Sequence, residues 1–114
     1  MLDALIISGS GPYADPWHPF PITSGRIADI VNDLGYSVDI TEHIEAGLRD
    51  PGDCRLLIIN IGNPAQPRPS EVIEASRAGL ENHLAAGGAI LGMHSSITSL
   101  TTMPQWRRIL GGTW

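Results

Sequence analysis

The hydrophobic positions of this chain change period from block to block. Leu5 to Ser8 is a short apolar run closed by Gly9-Ser10-Gly11, the pattern of a buried first strand. Residues 9 to 22 show no period and hold clusters of glycine and proline, so they form a loop. Ile27, Ile30, Val31 and Leu34 then fall at i, i+3, i+4 and i+7, which is one face of a helix. Thr23 or Ser24 can cap it and Gly35 suits its end. Tyr36, Val38 and Ile40 alternate with polar residues, predicting a second, half-exposed strand. His43 to Leu48 predicts a short helix broken by Asp50-Pro51-Gly52-Asp53, and Leu56 to Ile61 a strongly apolar third strand. Asn60 to Pro69 is a proline-rich loop. Ser70 can cap a helix that runs through Ala86, with Ile73, Leu80 and Leu84 inward and Gly87 as its stop. Ala89 to Met93 predicts strand four. A Ser/Thr-rich loop follows, and Pro104 suits the first turn of a final helix ending at Gly111-Gly112.

The order is β-α-β-(α)-β-α-β-α. Strands that alternate with helices predict a parallel sheet covered on both faces. Strands one, three and four are apolar throughout, as central parallel strands are, and strand two alternates, as an edge strand does. A flavodoxin-like α/β sheet of order 2-1-3-4 fits, in a single domain over residues 1–114. No repeat, linker or low-complexity segment interrupts it.

Composition narrows the classes of function. At 114 residues the chain can bury one core. Seven basic against twelve acidic residues give a net charge of -5, which disfavours nucleic acid, since phosphate binding needs a basic face. A single cysteine, Cys54, excludes an intrachain disulfide and reads as a structural thiol before strand three. No apolar run approaches the roughly 20 residues that span a bilayer. The N-terminal residues carry no basic region like that of a signal peptide, so a cytoplasmic protein is expected.

In open parallel sheets, ligands bind beyond the carboxyl ends of the strands, near the switch point. That rule singles out Tyr13, Trp17 and His18 in the first loop, Asn60 and Asn63 at strand three, and His94, Ser95 and Ser96 after strand four. The segment Gly87 to Ser96 reads as a strand-turn-helix elbow that holds one side chain, His94, at the top of a strand. A histidine there can transfer protons near neutral pH or ligate a metal; equally, it can hydrogen-bond a carbonyl and close the loop. Ser95 and Ser96 lack the Gly-x-Ser-x-Gly context of a nucleophile, so their hydroxyls cap the next segment or line a pocket. Trp17 and Tyr13 can stack on a sugar ring or cover the core, and Asp15 is available as a carboxylate partner. Asn60 offers amide hydrogen bonds. His43 and His83 read as solvent-facing, and two histidines, His18 and His94, are too few for a strong metal site. Gly9-Ser10-Gly11 fails as a dinucleotide fingerprint, because position 14 is alanine and Pro12 disrupts the helix that should begin there.

Three segments resemble the ThuA-like (trehalose utilisation) family, whose fold is that of class I glutamine amidotransferases. They are Leu5-Ile6-Ile7-Ser8-Gly9 on to Trp17-His18, then Leu80 to Ser96 with its GGAILGMHSS elbow, then Trp106 to Trp114 with its Leu110-Gly111-Gly112. In the amidotransferases the elbow carries a nucleophilic cysteine; His94 cannot do that covalent chemistry. The resemblance implies a cytoplasmic bacterial protein of carbohydrate metabolism, working on a sugar or keto-sugar beside a partner sugar oxidoreductase. It implies a site built around His94, with His18 and the loop aromatics Tyr13 and Trp17 nearby. A first hypothesis built on it has His94 as general acid/base assisted by His18, Trp17 and Tyr13 as a stacking wall, and Ser95, Ser96 and Asn60 hydrogen-bonding sugar hydroxyls. No cofactor is specified by it. Family domains run to roughly twice this length. The resemblance therefore describes a domain shortened at its C-terminus, with an edge at strand four that dimerisation or strand exchange would cover.

Other readings follow from the same residues. A non-catalytic sugar-binding or assembly module would share the fold. An amidotransferase-type hydrolase needs a cysteine at position 94 and a Cys-His-Glu triad, and a flavin carrier needs a Ser/Thr-rich phosphate loop after strand one. The chain has neither.

Overall fold

In the computed structural model, which describes residues 2–112, four parallel strands make one sheet. They are β1 (Ala4–Ser8), β2 (Val38–Thr41), β3 (Leu56–Asn60) and β4 (Ala89–Gly92), in the order β2-β1-β3-β4. The register aligns Ser8 with Asn60 and Ile59 with Gly92, so the strands finish level at one edge. Helices α1 (Phe20–Asp33), α2 (Ile44–Arg49), α3 (Ser70–Ala85) and α4 (Trp106–Leu110) connect and cover the sheet, and short 3-10 turns occupy Gly11–Tyr13 and His94–Thr98. This is the flavodoxin-like α/β arrangement that the pattern predicts.

Period-2 alternation divides the strands between two faces. Ile7, Leu57 and Ile59 point to the side of α2, α3 and α4, where they pack with Ile44, Leu48, Leu80 and Trp106, all fully or nearly buried. Each such aliphatic side chain contributes about 1.5–3 kcal/mol by leaving water. Ala4, Ile6 and Ile58 point to the other side, where α1 lies on them through Ile27, Ala28 and Val31.

The helices differ from expectation in phase more than in place. α1 starts at Phe20, after Pro19 and with Pro21 in its first turn, so Thr23 and Ser24 lie inside it and neither caps it. The stripe that meets the sheet is Phe20, Ser24, Ile27, Ala28 and Val31; Ile30 and Leu34 are 60% and 68% exposed. The shift arises because a buried serine, invisible to hydrophobic periodicity, marks the centre of the contact. In α3, Leu80 is buried but Leu84 faces outward. His83 takes the inward position, against the solvent-facing expectation. Its Nε2 lies 3.0 Å from the Ala89 carbonyl oxygen, and its ring fills the space that a Cβ on Gly88 would need. α3 meets α2 at Gly79, where a Cβ would stand 2.2 Å from the Arg49 carbonyl oxygen; only glycine permits this approach. β4, as apolar as a central strand, lies at the edge with Leu91 exposed. α4 begins at Trp106, two residues beyond Pro104, and stops at Gly111, whose φ of 88° gives the left-handed cap. Thr113 and Trp114, the end of the third family-like segment, lie outside the described residues. No helix among the described residues is long and apolar enough to cross a membrane.

Candidate functional site

At the carboxyl ends of β1, β3 and β4, backbone and serine hydrogen bonds fix three loops against one another. Gly9 N–H donates to the Asn60 carbonyl at 2.9 Å, and Gly62 N–H donates to the Tyr13 carbonyl at 2.8 Å. A Cβ on Gly62 would meet that carbonyl at 2.8 Å and Asp15 Oδ2 at 2.9 Å, so a glycine at position 62 lets the first loop lie on the end of β3. The elbow after β4 is tied down in the same way. Ser96 Oγ donates to the Ile59 carbonyl at 2.7 Å and accepts from Ile61 N–H at 3.0 Å, while Ser95 Oγ donates to the Ile61 carbonyl at 2.8 Å. Trp106 Nε1–H closes the far side on the Ser96 carbonyl at 3.0 Å.

This framework brings His18 and His94 together. Their ring centroids are 5.2 Å apart, tilted by 56°. His94 is exposed and has a φ of 40°, the only positive φ on a non-glycine among the described residues. His18 stacks on the buried Phe20 at 5.6 Å and 22°. Asp15 completes the group. Its Oδ1 accepts from the N–H groups of Trp17 at 2.9 Å and His18 at 2.8 Å, and both of its oxygens lie 2.8 Å from His18 Nδ1. Desolvation works to raise the Asp15 pKa, but the hydrogen bonds from the His18 ring and from the two backbone N–H groups outweigh it and hold the carboxyl below its ordinary value.

The remaining candidates divide. Trp17 is 80% exposed and borders a cleft of about 560 Å³ shared with Asp15, Asn63, Gln66 and Arg68. Tyr13 forms no stacking wall with it, because Tyr13 is buried and its hydroxyl donates to Glu45 Oε2 at 2.9 Å. Ser96 is fully buried with its hydroxyl committed to β3, so its place is in the framework and it offers no substrate contact. Asn60 ties β3 to α1, donating from Nδ2 to Thr23 Oγ1 at 2.9 Å and Ser24 Oγ at 3.0 Å. Ser95 is partly exposed beside His94.

Beyond Tyr13 stands a second charged group that sequence reasoning missed. Arg68 Nε donates to Glu45 Oε2 at 2.7 Å and its second nitrogen to Oε1 at 3.2 Å. The Arg68 bond, opposed by burial and helped by Tyr13, holds the Glu45 carboxyl below its ordinary value. Burial foremost, then the Glu45 bond and charge, pushes the Tyr13 phenol up. Glu45 and Arg68 are far apart in sequence, and no local spacing announces them. Asp15 had a signal: an aspartate three residues before a histidine, followed by proline, is the sequence of a carboxylate-anchored turn. Cys54 is buried, and desolvation raises its pKa, as befits a structural thiol. Among the described residues no cluster of three or more histidine, cysteine or acidic side chains could hold a metal ion. No family model, curated protein or solved structure matches the chain.

Proposed function

We propose that this chain acts on a sugar or keto-sugar by proton transfer at the carboxyl edge of its sheet, with His94 and His18 as the acid–base pair. The observation that carries the reading is the convergence of two imidazoles from opposite ends of the sequence to 5.2 Å, at the edge where parallel sheets bind ligands. Imidazole titrates near neutrality, which suits proton transfer to and from a hydroxyl or a carbon beside a carbonyl. Trp17 offers an exposed indole face for a sugar ring, and Ser95 a hydroxyl beside His94. The sugar itself enters through the resemblance to the ThuA-like family. So do a bacterial cytoplasmic setting and a partner oxidoreductase that supplies the keto form. Titrating the folded protein with trehalose, glucose and their 3-keto forms, while following the histidine ring signals by NMR, tests this reading. Selective shifts of His18 and His94 are expected, lost in His94→Ala with the fold intact. Unmoved rings in a folded protein refute it.

A second reading, an assembly module, is favoured by the β4 edge. Ala89, Ile90, Leu91 and Gly92 carry no charge, whereas the β2 edge carries Asp39 with Glu42 just beyond it. Natural edge strands use charge to avoid pairing. Light scattering across a concentration series decides it: a dimer that Leu91→Lys dissociates supports assembly, and a monomer at every concentration removes it.

A further inference from the structure

We infer that Asp15 is a positioning residue that pins the neutral His18 ring as its Nδ1–H tautomer, leaving Nε2 as the proton acceptor of the site. This assignment rests on the acid–base reading above and divides its labour.

The geometry begins with the backbone. The glycine at position 62 lets the first loop, Asp15 included, lie on the end of β3, and the loop's own turn sets Asp15 beside His18. The carboxylate already accepts from the N–H groups of Trp17 and His18, so it cannot swing away without orphaning them. Both oxygens then face His18 Nδ1 at 2.8 Å. An ionised carboxylate only accepts hydrogen bonds, so the nitrogen opposite must carry hydrogen. In a neutral imidazole the other nitrogen, Nε2, then holds the free lone pair. Stacking on Phe20 limits rotation of the ring, and the His94 ring stands across from it.

The proton transfer balances with these groups alone. A substrate hydroxyl, or a carbon beside a carbonyl, loses its proton to form an N–H bond on His18 Nε2. The electron pair of the broken bond stays on the substrate as alkoxide or enolate. The resulting imidazolium is opposed across Nδ1 by the Asp15 carboxylate, and it returns the proton when product forms.

A purely structural Asp15 would serve only the two backbone N–H groups, and the tautomer tells the two roles apart. The ring nitrogens of the ¹⁵N-labelled protein are read by long-range NMR correlation at alkaline pH, where imidazole is neutral. The expected wild-type pattern is a protonated Nδ1 and a bare Nε2 on His18. Asp15→Asn keeps an oxygen acceptor for the backbone, so the loop persists while the Nε2–H form becomes populated and the ring shifts move. A wild-type His18 carrying its hydrogen on Nε2, or an Asp15→Asn protein with unchanged His18 ring shifts, overturns the inference. The wild-type spectrum is decisive even if the variant disturbs the loop. No sugar is present in this experiment. A pinned Nδ1–H tautomer in a protein whose rings ignore every sugar would therefore end the sugar reading and leave the positioning role standing.

Discussion

On one side of the sheet, Ile7, Leu57, Ile59, Leu80 and Trp106 are completely buried beneath three helices. On the other, a single helix covers Ala4, Ile6 and Ile58 and leaves Ile30, Leu34, Ile40 and Leu91 between 45% and 68% exposed. The first side is built mainly from apolar side chains with almost no exposed surface. The second is held at its upper end by hydroxyl and amide contacts: Ser24 Oγ donates to Ser8 Oγ at 2.7 Å, and Asn60 reaches both Thr23 and Ser24. The difference teaches where tolerance lies. A substitution on the three-helix side must be absorbed by rigid neighbours, whereas much of the α1 side already meets water.

The strongest break in that comparison is Trp106→Ala. It empties the centre of the three-helix side and removes the hydrogen bond to Ser96, so unfolding in denaturant should show a loss of about 3–5 kcal/mol. Gly79→Ala comes next. Its methyl would collide with the carbonyl oxygens of Leu48 and Arg49, so α2 must move off α3, at about 3 kcal/mol by the same measurement.

Glu45 gives a smaller effect that depends on pH. Its folded pKa lies below the ordinary 4.5, chiefly through Arg68. Its contribution is therefore present above pH 4.5 and fades as acid protonates it in the folded state. Glu45→Gln should cost up to about 1 kcal/mol at neutral pH, since the pair is partly exposed, and should flatten the loss of melting temperature in acid. Smallest of all is Leu34→Lys on the α1 side, which should leave stability within about 0.5 kcal/mol. A loss as large as that of a core residue would erase the contrast between the two sides.

Strand periodicity was legible because β1 and β3 are nearly pure aliphatic runs, and βα alternation then leaves few parallel topologies. The phase of α1 was not legible, since Ser24 is buried for its hydroxyl and Ile30 is exposed despite its chemistry. His83 misled for a related reason: a histidine in mid-helix looks polar, yet it replaces the side chain that Gly88 lacks. That His18 and His94 share one edge of the sheet was legible because loops at the carboxyl edge follow from topology alone. The fates of Tyr13, Asn60 and Ser96 depended on partners more than 30 residues away, which no local spacing encodes.

Under the proposed acid–base role, the backbone at His94, with its φ of 40°, sets stability and chemistry against each other at one codon. A non-glycine residue held left-handed costs on the order of 1–2 kcal/mol, a cost that glycine escapes and asparagine reduces. Random libraries at this codon separate the two pressures. Selection for heat resistance alone should drift toward glycine or asparagine, while selection for the proposed activity should hold histidine.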